Sequence, residues 1–508
     1  MALLRRASTV ASLTLASRLL GFARDAGVAA LFGTGLVADA SVAGLSLAQL
    51  SRRLLGEGAL NAAVLPAIAG AQGAARRRRA GAALLLFAAA GLALAGLLWL
   101  FMPQVIAVLA PGFPDDGERV AGAVHAGRLT VICVPLALVA GTLAALANAG
   151  GALARPAMAP AAANVAVLIL LGLLWLAGAH EMAPAVALAW LAAGVIAGAV
   201  TQVALIFAAV PAGTLALPSR GALRAALPML AAAGPSLFAA GLPQLRFLIA
   251  AAAASTIPGG VAALFYATRL VELPLGLIGA SAGAVLLPAL AARDEKAGTV
   301  EAQGMEAALA LSLPAALGLA VLAHPIVVVL FQRGAFGAEA ATLTATTLSC
   351  LALTLPLQAL EKILAAIAFA AGFGRDVTRA ALIGLPVGAL AGFLTAGPLG
   401  LAGPAFGVLA ASLVSLALLA GALARRGRLP LPAASRRRLI GLGAAGLAMA
   451  GTILLAARLL AAPLAAGGLI AAGTLACLVL TGMLTYGATA FLCGGLSPAA
   501  LKAGLRNR

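Results

Sequence analysis

The chain has 508 residues, of which 63% are hydrophobic and 9% are charged, and its mean hydropathy is +1.11. A water-soluble domain cannot bury so large an apolar surface, so the composition excludes a soluble protein and indicates a polytopic membrane protein. The net charge of +18 comes from Lys and Arg between apolar segments, whereas nucleic-acid binding needs a basic face on a soluble module, so no nucleic-acid partner is predicted.

Long apolar segments recur along the chain, and we predict fourteen transmembrane helices from them. Each crossing of the ~30 Å hydrocarbon layer needs about 20 apolar residues whose backbone groups are paired within the segment. The first span is expected to be retained rather than cleaved as a signal peptide, since Arg18 and Arg24 interrupt its apolar run. The predicted spans are 8–32, 36–69, 81–109, 121–149, 157–178, 183–210, 222–254, 259–291, 305–331, 339–371, 377–396, 400–424, 439–461 and 467–494.

The basic residues between these spans predict the orientation of the chain. Short cytoplasmic loops hold an excess of Lys and Arg, and the richest clusters here are at 76–79, 425–428 and 436–438. All three fall on the same side if fourteen spans alternate, while the loops on the other side carry few basic residues. Both termini are therefore predicted to lie in the cytoplasm.

An internal repeat predicts the division of the chain into lobes. The segment VLPAIAG at 64–70 recurs as LLPALAA at 286–292, which is 222 residues later. Six predicted helices fit in that interval, so the two copies have parallel orientation. The expected fold is an all-α polytopic membrane protein with two pseudo-symmetric six-helix lobes around a central cavity and two further helices. The three parts are 1–212, 213–428, and 429–508 with its cytoplasmic tail.

Charged residues inside the apolar segments are concentrated in spans 1, 2, 7, 8 and 10, as in SRLLGFARDAGVAALFG, residues 17 to 33. Each such charge costs about 2.5–3.5 kcal/mol at the bilayer centre, so its side chain is expected to face a cavity or an opposite charge. An alternative interpretation is that ion pairs among these residues only hold helices together. Helical spacing predicts three pairs, which are Arg18 with Asp25, Arg53 with Glu57, and Arg269 with Glu272.

The buried basic residues outnumber the nearby carboxylates, which predicts an anionic ligand. The arginines in excess are Arg18, Arg24, Arg52, Arg246 and Arg269. A guanidinium presents a planar fork that binds phosphate oxygens in a bidentate manner. Several such forks in one membrane protein favour a diphosphate or a similarly dense anion.

Several motifs resemble those of the peptidoglycan lipid II flippase family, MurJ or MviN, within the MOP exporter superfamily. They include SRLLGFARDAGVAALFG and, at 52–70, RRLLGEGALNAAVLPAIAG. Further matches are APGF at 110–113, ALANAGGALARPAMAPAAAN at 145–164, YATRLVELPLGLIGASAGAVLLPAL at 266–290, LFQRGAF at 330–336 and GPLGLAGPAFG at 397–407. The resemblance implies a V-shaped transporter that moves lipid II, an undecaprenyl-diphosphate-linked disaccharide pentapeptide, from the cytoplasmic to the periplasmic leaflet by alternating access.

The same resemblance implies roles for individual residues. The implied substrate-binding residues are Ser17, Arg18, Arg24, Arg52 and Arg269. Asp39 and Glu57 match acidic positions that are important in the family. Together with Asp25, Arg53, Arg246 and Glu272, which helical spacing and the charge balance single out, they are the predicted charge partners or gating residues. The last two spans are expected to form an apolar groove for the polyprenyl tail.

We expect no cofactor, no metal site and no enzymatic activity. Residues 222–260 lack Asp, Glu and Asn, so the carboxylate and amide ligands of the family's cation site have no counterpart there. Asp376 alone cannot provide enough hard oxygen ligands. The expected protein is a monomer in the bacterial inner membrane, with lipid II as ligand and cell-wall synthesis proteins as further partners.

Two other functions are compatible with parts of this pattern. Another MOP-type transporter would move polysaccharide repeats or drugs, but a drug exporter needs an acidic or aromatic cavity, and aromatic residues make up only 4% of this chain. A membrane enzyme acting on polyprenyl phosphates needs clustered carboxylates for metal or general-base chemistry. The pair Asp115 and Asp116 lies in a predicted outer loop, away from the nucleotide donors of the cytoplasm.

Overall fold

The structure is a computed structural model that describes residues 2–56, 60–113, 117–178, 182–281, 297–429 and 432–495. Every regular element in these ranges is an α-helix, which confirms the predicted all-α fold class. The helices are α1 (Ala2–Phe32), α2 (Leu36–Gly56), α3 (Asn61–Ala69), α4 (Gly73–Leu100), α5 (Met102–Leu109), α6 (Gly117–Thr130), α7 (Cys133–Ala149), α8 (Ala154–Leu176), α9 (Pro184–Phe207), α10 (Arg220–Ala226), α11 (Pro228–Ala254), α12 (Gly260–Ser281), α13 (Ala297–Val321), α14 (Ala323–Phe331), α15 (Ala338–Ala352), α16 (Thr354–Ala370), α17 (Gly374–Leu399), α18 (Ala402–Arg425), α19 (Ala433–Leu459), α20 (Ala461–Ala465) and α21 (Gly468–Leu492).

The apolar character of these helices agrees with a multi-pass membrane protein. Within the described residues, nine helical segments are long and apolar enough to cross a bilayer, and α15 with α16 forms a tenth, bent by 41°. The helices α1 and α2 are not among the nine. They carry Arg18, Arg24 and Asp25 in α1, and Asp39 and two arginines in α2. The predicted count of fourteen spans stays a prediction.

Proline explains why several predicted spans are two helices in the structure. A proline inside a helix lacks the N–H that would bond the carbonyl four residues earlier, and its ring crowds that carbonyl. Pro356 lies four residues after Ala352, where α15 ends, and Pro325 lies four residues after Val321, where α13 ends. Spans 9 and 10 are therefore each interrupted. The apolar run alone had suggested that each span is one continuous helix.

The described chain forms two compact units, and the first contains residues 1–262 together with 334–336. In this unit α8 packs against α1 and α9, α2 against α6, and α4 against α7. One of its apolar cores joins α3, α4 and α7 through the buried side chains of Val64, Phe87 and Leu146. The predicted lobe boundary at residue 212 falls inside this unit, and the lobe division stays a prediction.

The second unit contains residues 263–333 and 337–508. Its helices α17 and α18 approach each other so closely that their backbones are in contact. A Cβ atom built on Gly388 would lie only 2.7 Å from the carbonyl oxygen of Gly407. Any larger side chain at either position would separate the two helices. Elsewhere in the unit α13 packs against α16 and α19, and α19 packs against α21. The predicted site residue Arg269 lies on α12.

Candidate functional site

The guanidinium of Arg24 is held between α1 and α8 in the first unit. Its Nε and Nη2 atoms donate to Oδ1 of Asp25 at 2.9 and 2.6 Å, and its Nη1 donates to Oδ1 of Asn164 at 3.1 Å. Nδ2 of Asn164 in turn donates to the backbone carbonyl of Ser17 at 3.0 Å. Asp25 is buried and Arg24 nearly so. The charge is therefore oriented by one carboxylate and one amide from different helices.

Asn164 is a site residue that the sequence analysis did not single out. It lies at the end of a family-like motif and is the single amide side chain of α8. An amide in an apolar membrane helix normally has a hydrogen-bonding role, since an unsatisfied polar group is costly there. A single amide in an apolar helix therefore indicates a hydrogen-bonding residue. The sequence does not indicate which helix supplies its partner.

Asp39 lies on α2 in the first unit, and its fully buried side chain contacts the N-terminal end of α12. Its two carboxylate oxygens accept hydrogen bonds from the backbone N–H groups of Gly259 and Ala262, both at 2.9 Å. A carboxylate at a helix N-terminus satisfies unpaired N–H groups and interacts favourably with the helix dipole. Asp39, contributed by α2, thus acts as a cap for a helix more than 200 residues away in sequence.

Arg119 supports Asp39 and was not foreseen as a site residue. Its Nη1 lies 3.7 Å from Oδ2 of Asp39, and its Cζ lies 5.7 Å from the ring centroid of Phe113. In the sequence, Arg119 falls between the predicted spans 81–109 and 121–149. Its proximity to Asp39 depends on how α6 packs against α2, which no local pattern reveals.

The helices α2 and α11 line a small, partly open cleft in the first unit. Arg53 Nη1 donates to Oε1 of Gln244 at 2.8 Å across this cleft. The predicted partner of Arg53 was Glu57, which lies outside the described residues. The lining residues are Val42, Ser46, Gln49, Leu50, Arg53, Gln244, Phe247 and Leu248.

Arg269 is held within α12 by two residues of the same helix. Its Nη1 lies 2.9 Å from Oε2 of Glu272, so the ion pair predicted from the three-residue spacing is present. Its Cζ lies 4.5 Å from the ring centroid of Phe265, one turn earlier, in a cation–π contact. The side chain of Glu272 is about one third exposed, whereas that of Arg269 is mostly buried.

The remaining predicted arginines are less enclosed. Arg18 is exposed, and Arg52 and Arg246 are half-buried. Asp376, which by itself was predicted to be insufficient for a cation site, forms an ion pair with Arg426. Within the described ranges, no three His, Cys, Asp or Glu side chains are grouped so that they could hold a metal ion.

Solved structures of membrane transporters share the fold of this chain. A solved structure titled "Lipid II flippase MurJ, inward closed conformation" matches with a TM-score of 0.77 at 19% identity, covering 95% of this chain and 98% of that one. An inward-facing multidrug resistance MATE family transporter of the MOP superfamily matches with a TM-score of 0.64 at 18% identity, covering 83% and 98% of the two chains. The chain therefore has the fold of MOP-superfamily transporters.

Sequence comparison then identifies the family. The family model described as Lipid II flippase MurJ matches residues 28–487. A probable lipid II flippase MurJ of Rhizobium meliloti (strain 1021) is 33% identical over 401 residues, which cover 75% of this chain and 72% of that protein. A second, from Rhizobium tropici, is 35% identical over 385 residues, covering 72% and 70%. The chain belongs to the MurJ family of lipid II flippases, which confirms the resemblance seen in the motifs.

Proposed function

We propose that this protein moves lipid II from the cytoplasmic to the periplasmic leaflet of the bacterial inner membrane by alternating access. Both termini lie in the cytoplasm, the protein acts as a monomer, and no step of the cycle makes or breaks a covalent bond. Family membership supports the substrate, and the distribution of basic residues supports the orientation.

The observation that carries the assignment of the site is the orientation of two arginines. Arg24 and Arg269 each have a mostly buried guanidinium that is held by a carboxylate and by a second, uncharged group. A diphosphate cannot cross hydrocarbon unaided, since burying an unpaired charge there is prohibitive. Guanidinium groups that are already oriented replace the water around the diphosphate at little further cost in ordering.

In this proposal Arg18, Arg52 and Ser17 complete the groups that contact the headgroup. Asp25 and Glu272 hold Arg24 and Arg269, respectively, in a fixed orientation when no lipid is bound. The diphosphate then competes with these carboxylates for the guanidinium N–H donors, and the carboxylates regain them on release. Asp39, Arg53, Glu57 and Arg246 act in the conformational change.

The test is transport by Arg24→Ala and Arg269→Ala variants in proteoliposomes that contain labelled lipid II. Each change removes an oriented cation, so flipping should be abolished while the protein still inserts and purifies normally. Arg128→Ala is the matched control, because Arg128 is half-buried outside the proposed site and its Cζ lies 5.0 Å from the ring centroid of Trp99. Normal transport by both site variants would refute the assignment.

A further inference from the structure

A cluster of three aromatic side chains packs against Arg269. The ring of Phe331 is 5.5 Å from that of Tyr266, which is 5.8 Å from that of Phe265, and the Phe265 ring is 4.5 Å from Cζ of Arg269. Tyr266 and Phe331 are fully buried and Phe265 almost so. The aromatic cluster joins the end of α14 to α12 within the second unit, and Phe265 is the member of the cluster that contacts the guanidinium.

The chain contains few aromatic residues, which makes this aromatic cluster distinctive. Only 4% of the residues are Phe, Trp or Tyr, and Tyr266 is one of two tyrosines. In a chain rich in Ala and Leu, an aliphatic residue at position 265 would supply equal burial. An aromatic ring supplies in addition a negative face that attracts a cation.

Phe265 and Glu272 contact the guanidinium of Arg269 in different ways. A ring face stabilises the guanidinium charge without accepting its in-plane N–H bonds, whereas a carboxylate accepts them. An arriving diphosphate would displace Glu272 from Arg269 but would not compete with Phe265. The ring can therefore hold the guanidinium plane in the same orientation before and after the lipid binds.

We propose that Phe265 is a positioning residue for Arg269, fixed by Tyr266 and Phe331, which orients the guanidinium toward the diphosphate of the lipid. This inference rests on the proposed function of Arg269. Loss of the ring frees the long arginine side chain, which must then be ordered again when the ligand binds. The expected cost is a weakening of affinity by about 2- to 10-fold, the range for ordering one rotamer-rich side chain.

The experiment measures binding of undecaprenyl diphosphate, with uncharged undecaprenol as the reference lipid, by native mass spectrometry of the full-length protein. Phe265→Leu removes the ring, Phe265→Tyr retains it, and Arg269→Ala removes the cation. Phe87→Leu is the matched control, since Phe87 is a buried phenylalanine in an apolar core of the first unit. If Phe265→Leu fails to reach the membrane, Phe265→Met takes its place.

Support requires three results together. Phe265→Leu weakens undecaprenyl diphosphate binding about 2- to 10-fold but leaves undecaprenol binding unchanged. Phe265→Tyr and Phe87→Leu bind as the wild type does, and Phe265→Leu has no further effect when Arg269→Ala is already present. The dependence on Arg269 distinguishes positioning from simple packing.

Two results would overturn the inference while leaving the proposed function intact. One is wild-type affinity in Phe265→Leu while Arg269→Ala binds weakly. The other is an equal loss from Phe265→Leu in the presence and absence of Arg269, which would indicate packing alone. Wild-type affinity in Arg269→Ala would overturn both the positioning role and the proposed site.

Discussion

Arg24 and Arg269 are held by partners of different origin. Arg24 is held by its neighbour Asp25 and also by Asn164, which is 140 residues away and belongs to another helix. Arg269 depends on Phe265 and Glu272, which lie one turn before and one turn after it in α12. The first arrangement is completed only when α1 packs against α8, whereas in the second both the carboxylate and the ring come from α12, and Phe331 of α14 supports that ring through Tyr266.

This difference predicts how each arginine responds to changes around it. The hydrogen bond between Arg24 and Asn164 breaks when α1 and α8 separate. The orientation of the Arg24 guanidinium should therefore depend on the packing of these two helices. The Arg269 arrangement should tolerate movement of α12 as a rigid body, because its partners move with it. We therefore expect substitutions near Arg24 to affect stability more than those near Arg269.

The largest loss of stability is expected from Asp25→Ala. Asp25 is buried and accepts hydrogen bonds from two nitrogens of Arg24, so its removal leaves a buried cation without that anion. Removing one member of a buried ion pair costs about 3–5 kcal/mol. Thermal unfolding of the purified variant in detergent measures the effect. An unchanged melting temperature would mean that the carboxylate contributes little to holding Arg24.

Asn164→Leu is expected to have the next largest effect. The change preserves size but removes the acceptor for Arg24 and the donor to the Ser17 carbonyl, which should cost about 1–3 kcal/mol. The same unfolding assay applies, together with the affinity for undecaprenyl diphosphate, which should fall.

The control for this prediction is Gln202→Leu, a buried amide on the neighbouring helix α9. It should change melting by less than Asn164→Leu and leave lipid affinity as in the wild type. If both variants lose affinity to the same extent, the role assigned to the contact between α1 and α8 is wrong.

The smallest effect is expected from Glu272→Gln. The carboxylate is about one third exposed, and pairs of this kind contribute about 0–1 kcal/mol. Melting should therefore fall less than in Asn164→Leu, and binding of undecaprenyl diphosphate should be retained, since the amide is a weaker competitor for Arg269. A loss of stability as large as that of Asn164→Leu would show that local and tertiary support are equivalent.

The helices of this protein were largely predictable, because apolar segments that must span a bilayer have a narrow range of lengths. The breaks within them were less so. Spans 9 and 10 were predicted as continuous, although Pro325 and Pro356 each lie four residues after the end of a helix. The stop signal was present in the sequence, but the apolar composition on both sides obscured it.

The contacts of the candidate site were also predictable only in part. Spacing along one helix correctly predicted the pair of Arg269 and Glu272. It did not predict Asn164, Gln244 or Arg119, because each of these contacts a residue on a different helix. Nothing in an Ala- and Leu-rich sequence specifies which faces of two distant helices meet, since many pairings bury similar apolar areas.

The sequence by itself determined that the chain is a helical membrane protein, which segments carry the costly arginines, and which residues of one helix lie beside one another. These properties follow from bilayer thickness and from the 3.6-residue turn, which act on any chain of this composition. Tertiary structure alone decided that Asp39 caps α12 and that Asn164 meets Arg24. Those contacts join residues far apart in sequence, and close packing of the helices selects them through the shape of every side chain along the interface.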